Sequence, residues 1–214
     1  MFNYRILRSF LLLPAALALV GCANSGPPQV TEVDRVLKAR SIEGAPFSKI
    51  VVVGAAPSRE TMRRLEEGFR RELGKRKVEA HSFVRKSPAK EPSEAAIMAL
   101  VEETGADAVL VVSGVIGGAA LTSHSETVAA DVQPMVRGQT LVNFFRYDYK
   151  EIQRTSYNDF TVSVQLVTDV YEVGSNQRVY SVESNTAHGK TGFDIIIAEA
   201  ETVVARMHKD RIIR

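Results

Sequence analysis

The sequence predicts an α/β domain built on a mixed sheet, in the order β-α-β-α-β followed by an antiparallel β-hairpin and a C-terminal helix. Three observations predict it. Two continuous β-branched runs, residues 49–54 and 106–116, are separated by amphipathic helical stripes, as expected of strands covered on both faces. Residues 162–184 change to period-two alternation on either side of Gly174-Ser175-Asn176, the pattern of a hairpin. From about Phe193 onward, apolar residues recur at helical spacing.

The first 46 residues precede this pattern. Residues 1–21 carry the parts of an export signal: Arg5 and Arg8, an apolar stretch over 10–20, and small residues before a cleavage point. The stretch has about half the ~20 apolar residues that a spanning helix needs, and Pro14 interrupts it. Leu19, Val20, Gly21 and Cys22 then match the lipobox at every position, so this N-terminus resembles that of bacterial lipoproteins. The resemblance implies a diacylglyceryl group on Cys22 through a thioether, cleavage before it, and acylation of the new amino terminus. Such an anchor is firm, because each buried methylene contributes about 0.8 kcal/mol. By the sorting rule of enteric-type bacteria, Ala23 and Asn24 in place of an aspartate after the cysteine imply the outer membrane, facing the periplasm. Under a different sorting rule the inner membrane is the alternative. Apart from the covalent lipid on Cys22, no cofactor is expected.

Cys22 is the sole cysteine, so once lipidated it leaves no thiol for a disulfide or a cysteine metal site. Residues 1–21 hold two of the 27 basic residues and no acid, so the remaining 25 basic residues balance 25 acidic ones. A mature chain with zero formal charge offers no electrostatic basis for binding nucleic acid or an anionic bilayer. Its length of roughly 190 residues suits one hydrophobic core.

Residues 22–46 are expected to be a tether. Ala23-Asn24-Ser25-Gly26-Pro27-Pro28 is hostile to helix, and Val30, Val33, Val36 and Leu37 then recur near helical spacing. That recurrence predicts a short helix, packed on the body or meeting a partner, before Gly44 and Pro46. The body is expected over 47–214. Its first strand is Lys49-Ile50-Val51-Val52-Val53-Gly54; Ser58 caps a helix with Met62, Leu65, Phe69 and Leu73 on one stripe, ending near Gly74. Residues 78–84 read as a second strand. Ser93 caps a helix carrying Ala96, Ile97, Leu100 and Val101, stopped by Gly105 before the third strand. In the later hairpin, Val162, Val164, Leu166 and Val170 form one face and Ser163, Gln165, Asp169 and Tyr171 the other, with residues 179–184 as the partner strand. The last helix is expected to bury Ile196, Ile197, Ala200, Val203, Val204 and Met207.

Residues 117–159 form an insertion, and a compact domain rarely carries a connection of about 40 residues without a use for it. Within it, Phe144, Phe145, Arg146, Tyr147 and Tyr149 combine aromatics with arginine, the chemistry of interface hot spots. They are the candidate partner-binding residues; the alternative is an extra hairpin that folds its aromatics onto the sheet.

Signatures of catalysis are weak throughout. Gly54-Ala55-Ala56-Pro57-Ser58 follows a strand and opens a helix but lacks both G-x-G-x-x-G and the Walker ending, so a plain βα turn is the better reading. Ser113-Gly114 lacks the glycine of a nucleophile elbow. His81, His124, His188 and His208 are scattered without ligand spacing, and no metal site is expected. Glu102, Glu103, Glu199 and Glu201 are read as members of solvated helix faces.

The body resembles the periplasmic modules of curli-secretion and penicillin-binding-protein-activator lipoproteins, related in fold to the amino-terminal domain of the Tol-system propeller protein. The resemblance spans roughly residues 47–210. It rests on element order, on the first strand, on Thr104-Gly105-Ala106-Asp107-Ala108-Val109-Leu110-Val111-Val112-Ser113-Gly114, and on Val167-Thr168-Asp169-Val170-Tyr171-Glu172-Val173-Gly174 leading to Val179-Tyr180-Ser181. Curli-type pores insert barrel strands in this fold, but the face Thr140, Val142, Phe144, Arg146, Asp148, Lys150 turns charged halfway, unlike a lipid-facing strand. The expectation is therefore a non-enzymatic accessory lipoprotein that binds a cell-envelope protein. The alternative is a subunit of an oligomeric export or transport assembly, which would make the chain a homo-oligomer.

Overall fold

A computed structural model describes residues 29–88, 90–115, 139–149, 163–187 and 192–214. These residues form a six-stranded sheet flanked by helices. The strands are β1 (Val30–Lys38), β2 (Lys49–Ala55), β3 (Glu79–Ser82), β4 (Ala108–Val115), β5 (Ser163–Glu172) and β6 (Gln177–Ala187). The helices are α1 (Arg59–Lys75), α2 (Phe83–Lys86), α3 (Glu94–Thr104), α4 (Leu141–Asn143, continued by a wider π turn over Phe144–Asp148) and α5 (Gly192–Lys209). The expected α/β class and mixed sheet are observed, as are the β-α-β-α-β order, the hairpin and the C-terminal helix.

The sheet order is β1-β6-β5-β4-β2-β3. β2 pairs in parallel with β3 and β4, which is why its Val51, Val52 and Val53 are sealed from solvent on both faces. The remaining pairings are antiparallel. The β2-to-β3 connection runs one way along the sheet and the β3-to-β4 connection returns past β2. Right-handed crossovers therefore put α1 and α3 on opposite faces. α5 lies beside α1, where Gly68 comes so close to Ile196 that an added Cβ would sit 2.9 Å from its Cγ2.

Local signals place these elements. Ser58 accepts from the Thr61 N–H at 3.0 Å and Ser93 from the Ala96 N–H at 3.3 Å, so both expected caps form. Gly105 ends α3 at φ 64°, a left-handed conformation that glycine adopts without penalty. Asp107 closes the junction that follows: its Oδ2 accepts from the N–H and hydroxyl of Ser48, and its Oδ1 from the Lys49 N–H.

Two elements differ from the sequence reading. Val30, Val33, Val36 and Leu37 lie on strand β1, paired with β6 from Val30↔Ala187 to Lys38↔Tyr180, and not on a helix in the tether. A bulge between Val33 and Arg35 inserts one residue, so Val33 and Val36 share a face although three positions apart, which imitates helical spacing. The second strand is shorter than 78–84, because Ser82 Oγ accepts from the Arg85 N–H and starts α2 at Phe83.

One end of the sheet collects several chain passages. There β1 begins beside the end of β6 (Val30↔Ala187), β5 begins beside the same residue (Ser163↔Ala187), and β4 ends (Val115↔Gln165). The start of α5 lies at this end too, since Gln29 Nε2 donates to the Asp194 carbonyl at 3.3 Å. The β5–β6 turn marks the opposite end.

Candidate functional site

Thr140 Oγ1 accepts from the Asn143 N–H and starts the turn that carries the aromatic cluster. Leu141, Phe144, Phe145, Asp148 and Tyr149 then recur at i, i+3, i+4, i+7 and i+8, and all five are buried. Phe144 is 0 % exposed; its ring meets Phe145 edge-on at 5.1 Å and Tyr171 of β5 at 6.3 Å. Phe145 and Tyr149 meet at a tilt of 52° with centroids 5.4 Å apart. By strand alternation, Tyr171 lies on the face opposite Thr168, Val182 and Ser184, so α4 covers the face away from α1 and α5. Burial pushes the Tyr149 hydroxyl well above the ordinary tyrosine range.

This placement corrects the expected partner-binding surface. Phe144, Phe145 and Tyr149 are core residues, because the segment coils into a helical turn and aims them at the sheet. Among the described side chains of 141–149 no aromatic is exposed, and the backbone there is a helical turn and not a hairpin. Arg146 is exposed, while the Tyr147 side chain lies outside the described residues, as do Leu19, Val20, Gly21 and Cys22 and most of 117–159.

β2 and β4 are adjacent parallel strands whose next strands, β3 and β5, lie on opposite sides of the pair, which is where doubly wound folds hold ligands. Here the crevice is an apolar notch lined by residues such as Ala56, Thr61, Leu65, Gly114, Leu166 and Ile196. Gly54, the first residue of the phosphate-loop look-alike, is explained by packing: a Cβ there would lie 2.6 Å from the Met62 carbonyl oxygen. Its N–H already donates to Glu66 Oε1 at 3.0 Å. Ser58 Oγ is occupied by the cap of α1, and Ser113 is buried with its hydroxyl donating to the Val167 carbonyl at 3.4 Å. The plain βα turn and the strand-end serine are therefore what the structure contains.

Two of the buried carboxylates, those at 0 % exposure, were not foreseen as such. Glu66 of α1 is sealed from solvent and accepts from the Gly54 N–H, the Ser82 hydroxyl and the Val84 N–H. Glu199 of α5, expected on a solvated face, is equally sealed and accepts from Ser184 and Thr186 of β6. Each ties a helix to the sheet. Burial pushes both carboxyls up to about 7, against the pull of their hydrogen-bond donors. The signal was readable, since Glu66 falls between Met62 and Phe69, and Glu199 between Ile196 and Val203, on the apolar stripes themselves. Glu102, Glu103 and Glu201 are exposed as expected.

The two described histidines do not converge. The His81 side chain stands 3.1 Å from Glu79 Oε1, His208 is exposed, and His124 and His188 lie outside the described residues. Among the described residues, no group of three or more His, Cys, Asp or Glu could hold a metal ion. No described helix is long and apolar enough to cross a membrane.

The sequence matches no protein-family model and no curated protein. Among solved structures, a leucine-to-methionine variant of the PelC dodecamer from Paraburkholderia phytofirmans is similar at 12% identity and a TM-score of 0.46, over 86% of this chain and 100% of that one. The PelC dodecamer from the same organism is similar at 11% identity and a TM-score of 0.45, over 86% of this chain and 99% of that one.

Proposed function

We propose that this protein is a non-enzymatic lipoprotein, anchored through acyl chains on Cys22 to the periplasmic side of the outer membrane, that binds a cell-envelope protein. The observation that carries the reading is Leu19-Val20-Gly21-Cys22, placed behind an apolar run and seven residues before Gln29, next to the edge strand of the sheet. With the aromatic turn built into the core, the surface offered to a partner is that edge. Among the described residues β1 is paired on one side alone, with β6, and Glu32, Arg35 and Leu37 are exposed along it. An extended partner segment could add there as a further strand, with main-chain hydrogen bonds for affinity and the two charges for register. This open edge equally supports self-association, the second reading.

Intact mass and membrane fractionation test the anchor: a diacylglyceryl adduct on Cys22 is expected, and Cys22→Ala should move the protein to the soluble fraction. Photocrosslinking in cells from position 37 tests the surface and should capture one envelope protein. Capture of the chain by itself, with a matching oligomer in light scattering, would select self-association. An unmodified Cys22 in a membrane-free protein would remove the reading.

A further inference from the structure

We propose that the end of the sheet from which the tether leaves is a bilayer-contacting surface, with Phe193 and Val30 as its apolar contacts to phospholipid. The inference rests on the reading of Cys22 as the lipidated residue. Four large apolar side chains are exposed among the described residues: Val30, Leu37, Met98 and Phe193. Two of them, Val30 at 43 % and Phe193 at 42 %, stand at the same end. Val30 is the first residue of β1 and Phe193 the second of α5, and Gln29 joins the two elements through its bond to the Asp194 carbonyl.

Chain length says what covers them. Gln29 follows Cys22 by seven residues, a contour of at most roughly 25 Å even when fully extended. The acyl chains therefore hold this end of the body beside the bilayer. The β5–β6 turn, a ten-residue strand away, is carried about 33 Å farther along the sheet. A phenylalanine at the first turn of a helix, beside a β-branched residue, suits the boundary between headgroups and acyl chains, where apolar side chains leave water without crossing the membrane. The exposed charges nearest in sequence, Glu32 and Asp194, are acidic, so the attraction is apolar and independent of anionic lipid. Two side chains orient a body that the acyl chains already hold.

The chain contains no tryptophan, which provides a clean probe. The lipidated Phe193→Trp protein would be reconstituted into phosphatidylcholine vesicles with and without brominated acyl chains. Gln177→Trp, an exposed position beside the far turn, serves as the reference. Both substitutions replace exposed residues, and unchanged circular dichroism would establish that the fold is kept. The Phe193→Trp protein should shift its emission to shorter wavelength and lose on the order of half of it to bromine, at low and high salt alike, while Gln177→Trp stays unquenched. Equal emission from the Phe193→Trp protein in both vesicles, with the lipid adduct present and the protein floating with the vesicles, would overturn the contact and leave the anchor standing. Absence of the adduct would overturn both.

Discussion

Thr186 of β6 donates its hydroxyl to Glu199 Oε1 of α5 at 2.7 Å, and Ser184, two residues earlier on the same strand face, takes the other carboxylate oxygen. The 2.6 Å contact between Thr31 and Thr186 extends the link to β1, with Thr31 as the donor while an ionised Glu199 holds the Thr186 proton. A chain of hydroxyls thus links edge strand β1 through β6 to the C-terminal helix. Thr186→Val keeps the shape and removes both bonds. It should cost about 1–3 kcal/mol in urea unfolding, since it strips a buried carboxyl of a partner. An unchanged urea midpoint would mean that the chain of hydroxyls contributes nothing.

Glu66 and Glu199 give stability a characteristic pH dependence. Each carboxyl is held near 7 in the folded protein against an ordinary value of 4.5, so the folded state binds its proton more tightly than the unfolded chain does. This contribution is complete below about 4.5 and is lost as pH rises through about 7, on the order of 3 kcal/mol per group. Carboxylates shifted the other way act at lower pH: Glu60, held at about 2 by Arg63 and Arg64, and Glu67, lowered by Arg70, lose their contribution only as pH falls below 4.5. The urea midpoint should therefore be greatest near pH 5 and fall toward pH 8. Glu199→Gln should flatten that fall by about half, because the Ser184 and Thr186 hydroxyls can turn to meet an amide. A slope identical to that of the parent protein would contradict the assignment.

The aromatic turn is expected to govern stability and not recognition. Phe144→Ala removes a fully buried ring and should cost about 3–5 kcal/mol, whereas Arg146→Ala, on the exposed side of the same turn, should stay within about 0.5 kcal/mol. Thermal unfolding distinguishes them. Equal, small effects from both would return the cluster to the surface.

Most of the sheet was legible because its signals are local. The β-branched runs of β2 and β4, the caps at Ser58 and Ser93 and the stop at Gly105 each act within a few residues. What escaped depends on distant partners or on one inserted residue. β1 pairs with β6 about 150 positions later, and its bulge at Asp34 breaks the period-two pattern that would have identified a strand. Of the candidate site, the lipobox is a contiguous motif, whereas the aromatic run was misjudged by composition: Phe and Tyr favour strands, and the helical recurrence from Leu141 to Tyr149 decides the matter once Thr140 caps it. Glu199 escaped because a charged residue suggests solvent, although its position on the stripe is apolar.

Three glycines on or beside α1 should respond differently to alanine, and the differences test how the helix sits on the sheet. At Gly54 the new Cβ would press on the Met62 backbone, its carbonyl oxygen at 2.6 Å and its Cα at 2.9 Å, so strand or helix must move. Overpacking against backbone costs about 1–3 kcal/mol and occasionally more, and the displaced strand also carries the N–H that Glu66 accepts. At Gly68 the clash, 2.9 Å, is with the Cγ2 methyl of Ile196, a side chain that can turn aside, so the cost should be smaller. At Gly74 nothing lies within 4 Å, and alanine should stabilise the last turn of α1 by about 0.5–1 kcal/mol through the lower entropy of the unfolded chain. Urea midpoints should therefore rank Gly74→Ala above the parent protein, then Gly68→Ala, then Gly54→Ala. If Gly54→Ala were as stable as the parent, the close approach of β2 to α1 would be wrong.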